Sequence, residues 1–362
     1  MPMTEYGSND AILARLLEKS RAVASKTAGL AAEFSRQRSS VRDRLEADGM
    51  IHFVDPEIIA SIPLPDITAV DGGVIVDSRA IGDVCAAVGV AFGPGEALRN
   101  EVWMDSVPRN ARNKEIVTGL MSAMEIRLAA SSTAELVMID GSLTSGLINI
   151  SKAIQHSSKG RTDLECLALE LRCAEMRDAA MEILTSKRFV AVPKYTTTNE
   201  EFGAMLPHGL RDFDGRTVAT MALKPGEMTQ LFETDKVKER SFEDKKKQVS
   251  NTLQFSEADY HRFVAASTNV GWSYYRPHPW TPAFRFDVPV SMVGDRERGR
   301  AVLKAIHDTT LSPGIREPLP LYIADTFAKQ ISVGVSPVMD MAAVDYQEDD
   351  DALILMIMGY RT

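Results

Sequence analysis

The sequence contains little that would place the protein in a membrane or outside the cell. No apolar run approaches the roughly 18–20 residues that span a bilayer. The N-terminal residues 1–7 lack a basic region followed by an apolar core. The chain has only three cysteines, too few for a disulfide framework, and Cys85, Cys166 and Cys173 lie in apolar contexts typical of buried thiols. These absences predict a cytoplasmic protein without a membrane span.

Several catalytic signatures are missing as well. No Gly-x-Ser-x-Gly turn is present, which disfavours a Ser-His-Asp hydrolase, and no Gly-rich loop ends in Lys-Ser or Lys-Thr, so any ATP-driven movement would need a partner. His208 and His278 have no Cys or His companions that would complete a zinc site. The net charge of −9 argues against coating of nucleic acid by a broad basic surface, but it leaves room for a local groove.

The bulk composition is that of a folded globular protein. Hydrophobic residues make up 44% and charged residues 25% of the 362 residues, which allows one large domain or two modest ones. Apolar residues recur at helical spacing near the start, as Ile12, Leu13 and Leu16. We expect a helical segment over residues 1–50, as one long helix or a helical pair, and a main domain over residues 51–362. The helix would pack on its own domain or contact a partner.

The order of elements in the main domain indicates its fold. The expected strands lie at residues 67–70, 74–76, 84–92, 135–139 and 189–192, with helices at 113–131 and 162–187. The first three strands are close together with glycines between them, which is typical of an antiparallel meander. Three antiparallel strands, helix, strand, helix, strand is the order of a ribonuclease H-like core. The sequence therefore predicts an α/β fold with a mixed sheet of about five strands flanked by helices.

The remainder of the main domain is less regular. Residues 196–285 are expected to form an insertion. Regular signals return as a strand at 283–290, a helix capped by Asp295, a last helix that begins near Pro320 and an apolar strand at 353–358.

An aromatic and basic patch precedes that strand. It comprises residues 272–280, with the sequence Trp-Ser-Tyr-Tyr-Arg-Pro-His-Pro-Trp. Such rings beside an arginine could stack unpaired bases, or they could fill a hydrophobic cleft. The sequence leaves both interpretations open.

Four carboxylates occupy positions where burial is expected. Asp71 and Asp140 each end an apolar, strand-like run and precede a glycine. Glu125 lies in the apolar stripe of a predicted helix, and Asp325 lies in a similar stripe of the last predicted helix. A buried carboxylate is costly unless a cation or hydrogen bonds compensate for the lost hydration. The four side chains therefore indicate a shared site.

Oxygen donors of this kind suit hard divalent cations, Mn²⁺ or Mg²⁺, rather than zinc. Two such ions, about 3.5–4 Å apart, activate a water and stabilise the leaving oxygen in phosphodiester hydrolysis. The alternative for Asp71 and Asp140 is a turn role alone, which is common for aspartate before glycine. Their occurrence together with Glu125 in the expected strand order favours a two-ion site and a nuclease.

With these residues in view, the chain resembles the NurA nuclease family from about residue 67 to its end. The order and spacing of several short segments are more specific than any one of them. The segments are 69–73 (Ala-Val-Asp-Gly-Gly), 137–142 (Val-Met-Ile-Asp-Gly-Ser), 190–194 (Val-Ala-Val-Pro-Lys), 284–289 (Phe-Arg-Phe-Asp-Val-Pro), 318–325 (Pro-Leu-Pro-Leu-Tyr-Ile-Ala-Asp) and 359–361 (Gly-Tyr-Arg). The resemblance implies that Asp71, Glu125 and Asp140 bind metal and that Lys194 binds the scissile phosphate or offsets its charge.

The resemblance also implies a metal-dependent deoxyribonuclease that acts on DNA ends and single strands. Its expected activities are 5′→3′ exonuclease and single-strand endonuclease, in DNA-end processing or defence. It would work as a homodimer docked on a HerA-like hexameric ATPase.

One departure from the family pattern bears on this expectation. The family typically has Ala-His in the last helix, whereas this chain has Ala324-Asp325. Aspartate binds the same hard metals, so we expect activity to be retained. The alternative from another class is a non-catalytic DNA-binding adaptor of a ring translocase, and cleavage of RNA or hybrid strands also stays open.

Overall fold

The computed structural model describes residues 9–159, 173–194, 213–233, 255–346 and 350–359, together with 202–203, 206 and 211. These parts of the chain form ten strands and ten α-helices. The strands are β1 (Ile51–Phe53), β2 (Ile67–Arg79), β3 (Gly82–Gly93), β4 (Glu96–Val107), β5 (Leu136–Asp140), β6 (Phe189–Val192), β7 (Glu227–Thr229), β8 (Phe232–Glu233), β9 (Gly271–Arg276) and β10 (Phe284–Val288).

The helices differ widely in length, and the first and the ninth are the longest. They are α1 (Asn9–Ala47), α2 (Pro56–Ser61), α3 (Asn113–Ala130), α4 (Ser145–Lys159), α5 (Cys173–Thr185), α6 (Gly215–Ala222), α7 (Glu257–Thr268), α8 (Arg296–Thr309), α9 (Leu319–Tyr346) and α10 (Asp350–Ile357). No helix in the described part of the chain is both long and apolar enough to cross a bilayer.

One mixed sheet contains all ten of these strands. Its order is β1-β7-β9-β10-β6-β5-β2-β3-β4, and β8 also pairs with β9. The three neighbours β2, β5 and β6 run parallel, whereas β2, β3 and β4 form an antiparallel meander. The parallel strands lie near the middle of the sheet, where both of their faces are covered, as is usual for parallel pairing.

Helices cover the two faces of the sheet. Because side chains alternate along a strand, Phe189 and Ala191 of β6 face one core, and Val190 and Val192 face the other. The first core includes residues of α3, α4, α5 and α7. The second includes residues of α2, α8 and α9. The central strands are therefore buried on both sides, which explains their continuous apolar sequence.

The N-terminal segment is one helix, and it is attached near its C-terminal end. Val41 and Leu45 of α1 are buried in a core shared with α6 and β9. Arg42 donates two hydrogen bonds, of 2.6 and 2.8 Å, to the Glu227 carboxylate of β7. Apolar residues nearer the start of α1 are exposed: Ile12, Leu13, Leu16, Leu17 and Val23. Within the described part of the chain, the predicted apolar stripe of α1 is therefore exposed near its N-terminal end.

The expectation of about five strands is wrong. Residues 67–70 and 74–76 belong to one strand, β2, which continues through Gly72 and Gly73. A Cβ on Gly73 would lie 2.3 Å from Ser332 Oγ, so these glycines let helices approach the strand closely. The meander is completed by β4, which has a weak apolar signal because it is an edge strand with many exposed side chains. Strands β7, β8, β9 and β10 extend the sheet on its other side.

Other elements also differ from the expectation. The C-terminal strand predicted at 353–358 is helix α10, because a short apolar run does not distinguish strand from helix by its period. Helix α4 was not predicted, and the part of the predicted helix 162–187 before residue 173, with Cys166, lies outside the described residues. The described parts of 196–285 contribute strands to the main sheet, and the domain boundaries stay a prediction.

Candidate active site

Two aspartates and a lysine meet where the parallel pairing of β2, β5 and β6 ends. Val70 of β2 pairs with Ile139 of β5, so Asp71 and Asp140 follow on neighbouring strands. Strand β6 runs parallel to β5 and ends two residues before Lys194. The carboxyl ends of parallel strands share one edge of a sheet, and that edge is the usual place for a binding site in α/β folds.

Each aspartate has one oxygen bound to the backbone amide of the next residue. Asp71 Oδ1 accepts a hydrogen bond from the Gly72 amide at 2.7 Å, and Asp140 Oδ1 accepts one from the Gly141 amide at 2.9 Å. Gly141 has φ of +90°, a conformation that side-chain-bearing residues rarely adopt. A turn role is therefore present at Asp140 alone, because Asp71 and Gly72 continue within β2. The second oxygen of each carboxylate faces the pocket.

Glu125 reaches the same pocket from α3. Its side chain is buried, with 9% of its surface exposed, which confirms the inward direction predicted from the helical stripe. A Cβ on Gly72 would lie 2.5 Å from Met121 Cγ and 2.7 Å from Glu125 Oε1. The absence of a side chain at Gly72 thus allows the carboxylate to lie directly against β2.

The fourth predicted carboxylate, Asp325, lies in the second turn of α9 and is paired with two lysines. Its Oδ1 lies 3.0 Å from Lys194 Nζ, and its Oδ2 lies 2.6 Å from Lys329 Nζ. Burial acts to raise the pKa of Asp325, but hydrogen bonds from Lys329 and Lys194 outweigh it and lower that pKa below its usual value. Asp325 is therefore held as a charged carboxylate.

The Lys194 ammonium lies at the centre of this group. Its Nζ is 3.1 Å from Asp71 Oδ2, 3.0 Å from Asp140 Oδ2 and 3.0 Å from Asp325 Oδ1. A further carboxylate, Glu317, places its Oε2 3.3 Å from the same atom. The structure thus brings four of the five residues that the sequence singled out into direct ionic contact, and the fifth, Glu125, lines the same pocket.

Burial and neighbouring negative charge raise the affinity of two carboxylates, Asp71 and Glu125, for protons. Burial raises the pKa of Asp71 to about 8, and the charge of Asp140 adds to the shift. Burial raises the pKa of Glu125 well above its usual value, with the charges of Asp71 and Asp140 acting in the same direction. Burial acts to lower the pKa of Lys194, but the charges of Asp71 and Asp140 outweigh it and raise that pKa. The pocket therefore favours bound positive charge.

A family model described as the NurA domain matches residues 65–330, which is more than half of the chain and includes the residues of the pocket. The chain belongs to the NurA family. Comparison with curated protein sequences gave no match.

Solved NurA structures have a similar fold. The crystal structure of the NurA nuclease from Sulfolobus solfataricus is 14% identical in sequence, with a TM-score of 0.58, and the match covers 93% of this chain and 99% of that one. A crystal structure of NurA bound to dAMP and manganese is 12% identical, with a TM-score of 0.58 and the same coverage. At this level of identity the likeness concerns the fold alone.

The donor chemistry of this NurA-family pocket fits a hard divalent cation. No hydrogen-bond donor in the described residues reaches the buried Glu125 carboxylate, which lines a pocket of about 440 Å³ with Asp71, Asp140 and Asp325. As placed, no group of three or more Asp, Glu, His or Cys side chains within the described ranges has the spacing of a metal site. The Lys194 ammonium lies between the carboxylate oxygens and sets the spacing seen here.

Two residues of the candidate site, Glu317 and Lys329, are not predicted from the sequence. Glu317 directly precedes the segment 318–325 but lies outside any helix, so no periodicity indicated its direction. Burial raises the pKa of Glu317, although Lys194 acts in the opposite direction. Lys329 could have been found, because it lies four residues after Asp325 on one helix, where such pairs meet.

The aromatic patch at residues 272–280 is mainly a packing feature. Tyr274 and Tyr275 are buried in the cores on either side of β9, and Arg276 donates to four backbone carbonyls. Trp280 is half exposed and stacks on His278 with ring centroids 4.6 Å apart. These contacts favour the cleft-filling interpretation for the buried rings. His208 lies outside the described residues.

Proposed function

We propose that this chain is a metal-dependent deoxyribonuclease that hydrolyses phosphodiester bonds. Its activities would be 5′→3′ exonuclease and single-strand endonuclease, in DNA-end processing or defence. The observation that carries the proposal is the group of carboxylates around Lys194, where the parallel pairing of β2, β5 and β6 ends, in a chain of the NurA family. A site that concentrates several buried acids beside a lysine suits the binding and cleavage of a phosphodiester.

The strand order supports a ribonuclease H-like core. In the succession β4-β3-β2-β5-β6, an antiparallel meander is followed by two strands parallel to β2. The meander consists of other strands than those expected from the sequence, because residues 67–76 lie in one strand and β4 completes it. The first aspartate lies on the first strand of this unit, Glu125 on the following helix and Asp140 on the fourth strand. These placements support the shared site rather than a turn role alone.

Asp71, Glu125, Asp140 and Asp325 would hold two Mn²⁺ or Mg²⁺ ions. When bound, such ions neutralise charge on the phosphate and stabilise the oxygens that attack and leave. The NurA structure with dAMP and manganese supports this choice of ligand class. Lys194 would bind a nonbridging phosphate oxygen and stabilise the charge that develops during cleavage.

The proposal also includes partners. We expect a homodimer that receives DNA from a HerA-like hexameric ATPase, as the resemblance to the NurA family implies. The sequence has no Gly-rich nucleotide loop, so any ATP-driven movement would need such a partner. A net charge of −9 is compatible with DNA being delivered by the ring rather than gripped by a broad basic surface.

The experiment that tests the proposal is cleavage of end-labelled single- and double-stranded DNA by the wild type and by Asp71→Ala. The assay is run with Mn²⁺, with Mg²⁺ and with EDTA, and labels at either end report the direction of cutting. We expect cutting that requires metal and is lost in Asp71→Ala. A matched RNA strand separates deoxyribonuclease from ribonuclease activity.

The adaptor alternative makes a different prediction in the same assay. If neither protein cuts, even after addition of the cognate ring ATPase and ATP, the nuclease proposal fails. DNA binding by both proteins in that case would favour the non-catalytic adaptor.

A further inference from the structure

Helix α6 carries an arginine that contacts three backbone segments around the site. The Arg216 guanidinium donates to the carbonyl oxygen of Lys194 itself. It also donates to Ala283 O at 3.0 Å, directly before β10, and to Arg316 O at 3.4 Å, one residue before Glu317. One side chain therefore bridges the segments that carry Lys194 and Glu317, the two partners of an ion pair in the pocket.

The helix that bears this arginine is itself fixed in place. Its N-cap residue, Asp214, accepts a hydrogen bond from the Thr217 amide at 3.0 Å. At the other end, Thr220 Oγ1 accepts from the Ala283 amide at 2.9 Å. Because α6 is held at its cap and against the start of β10, Arg216 is attached to a rigid support.

Lys194 needs such a support because it lies beyond the paired part of its strand. The last register pair of β6 joins Val192 to Asp140, so no strand pairing reaches Lys194. Glu317 precedes α9 and is likewise outside the sheet. The position of the Lys194 ammonium among four carboxylates thus depends on contacts made by its backbone and side chain.

We infer that Arg216 is a positioning residue. It holds the backbone of Lys194 and that of Arg316, the residue before Glu317, so that the Lys194 ammonium stays centred among the carboxylates. Glu317 then holds the same ammonium through its ion pair from the second segment. An arginine is required because its planar guanidinium donates in several fixed directions, whereas a lysine ammonium is a single point. The functional consequence of this inference rests on the proposed nuclease activity of the same site.

The first test measures the position of Lys194 without using nuclease activity. Full-length wild type, Arg216→Lys and Arg276→Lys are treated with limiting acetic anhydride, and the acetylation rates of Lys194 and of Lys114, an exposed lysine outside the pocket, are compared by mass spectrometry. The Lys194 side chain is only 23% exposed because carboxylates surround it, so we expect its displacement in Arg216→Lys to give the reagent access and to raise the Lys194:Lys114 ratio severalfold.

Arg276→Lys is the matched control. Arg276 also donates to backbone carbonyls near α6, but at the other end of that helix, to Thr220 O and Leu223 O. Its remaining acceptors are the carbonyls of Pro279 and Thr281, and none of these four residues lines the pocket. We expect Arg276→Lys to leave the labelling ratio unchanged. An unchanged ratio in Arg216→Lys, or an equal rise in Arg276→Lys, would overturn the inference.

The second test measures the consequence for cleavage. Arg216→Lys should lower kcat about 10–100-fold with little change in KM, since small displacements of a positioned group act on the chemical step. Glu317→Gln, which nearly preserves the shape of the side chain, should lower kcat in the same way. The kcat of the double variant should be at most about threefold below that of the less active single variant. Multiplication of the two effects, or full activity in Glu317→Gln, would contradict the shared role.

The two tests separate this inference from the nuclease proposal. If the labelling ratio rises in Arg216→Lys while the wild type cuts no nucleic acid, the nuclease proposal fails and the positioning of Lys194 by Arg216 stands. If the wild type cuts and the ratio does not change, only the positioning role is overturned. Glu317→Gln provides the second variant should Arg216→Lys fail to fold.

Discussion

The buried carboxyl group of Glu125 is a cost to the fold in the absence of metal. Its pKa is raised by burial and by the charges of Asp71 and Asp140, so the folded protein binds a proton there that the unfolded chain releases above about pH 4.3. Where the folded state binds more protons, stability falls as pH rises. The metal-free wild type should therefore lose stability at this group as pH increases from about 4.3 toward the raised pKa.

Removal of that charge should stabilise the metal-free protein. We expect Glu125→Gln to exceed the wild type in free energy of unfolding by an amount that is small near pH 4.5 and grows by up to about 1.4 kcal/mol per pH unit above it. The measurement is urea unfolding in EDTA at several pH values. Glu115→Gln, an exposed change in the first turn of the same helix, is the control. A pH-independent difference would show that Glu125 is not buried as a proton-binding group.

Asp325 is expected to be essential for cleavage. Its carboxylate contacts both Lys194 and Lys329, so Asp325→Asn removes a charge that both ammonium groups face. We expect metal-dependent cleavage to fall at least about tenfold. Initial rates of DNA cleavage in Mn²⁺ test this, with Asp345→Asn, an exposed change on the same helix, as the control. A wild-type rate in Asp325→Asn would remove this residue from the site.

The contact between β2 and α3 depends on Gly72. Addition of a methyl group there would place it within 2.7 Å of both Met121 Cγ and Glu125 Oε1, so the Glu125 carboxylate must move. Gly72→Ala should lower stability by about 1–3 kcal/mol, as overpacking typically does. It should also weaken Mn²⁺ binding, measured by calorimetric titration, because one predicted ligand is displaced.

A glycine in open space provides the comparison for Gly72. Gly334 lies in α9, and a Cβ there would meet nothing within 4 Å. Gly334→Ala should leave Mn²⁺ affinity unchanged and stabilise the helix by up to about 1 kcal/mol. Unchanged Mn²⁺ affinity in Gly72→Ala would mean that Glu125 has no part in metal binding.

The elements that were predictable from the sequence are those that lie in the centre of the molecule. Strand β6 has the predicted bounds, and α3 ends one residue earlier than expected, because both are buried and carry an unbroken signal. Strand β4 was missed because an edge strand need not be apolar. Helix α10 was taken for a strand because its apolar run is too short to show a period.

The residues of the candidate site also differ in whether the sequence predicts them. Asp71 and Asp140 could be predicted because each has a local pattern, an apolar run followed by glycine, and Glu125 and Asp325 because a helical stripe gives each a direction. Glu317 and Arg216 have no such pattern. Their contact with Lys194 joins segments more than twenty residues apart through irregular backbone, and only the packed structure brings them together.

The whole molecule should respond to metal as a single ligand-binding unit. Five carboxylates converge on the pocket, Asp71, Glu125, Asp140, Glu317 and Asp325, whereas two lysines, Lys194 and Lys329, face them. Bound Mn²⁺ would replace the protons that Asp71 and Glu125 hold and would offset the charge of the carboxylates only in the folded state. Mn²⁺ at about 100 times its dissociation constant should raise the free energy of unfolding by about 2.7 kcal/mol.

Urea unfolding with and without Mn²⁺ measures this stabilisation. Asp140→Asn should lose most of it, and NaCl at equal ionic strength should not reproduce it. Equal stabilisation of wild type and Asp140→Asn by Mn²⁺ would place the metal elsewhere on the molecule.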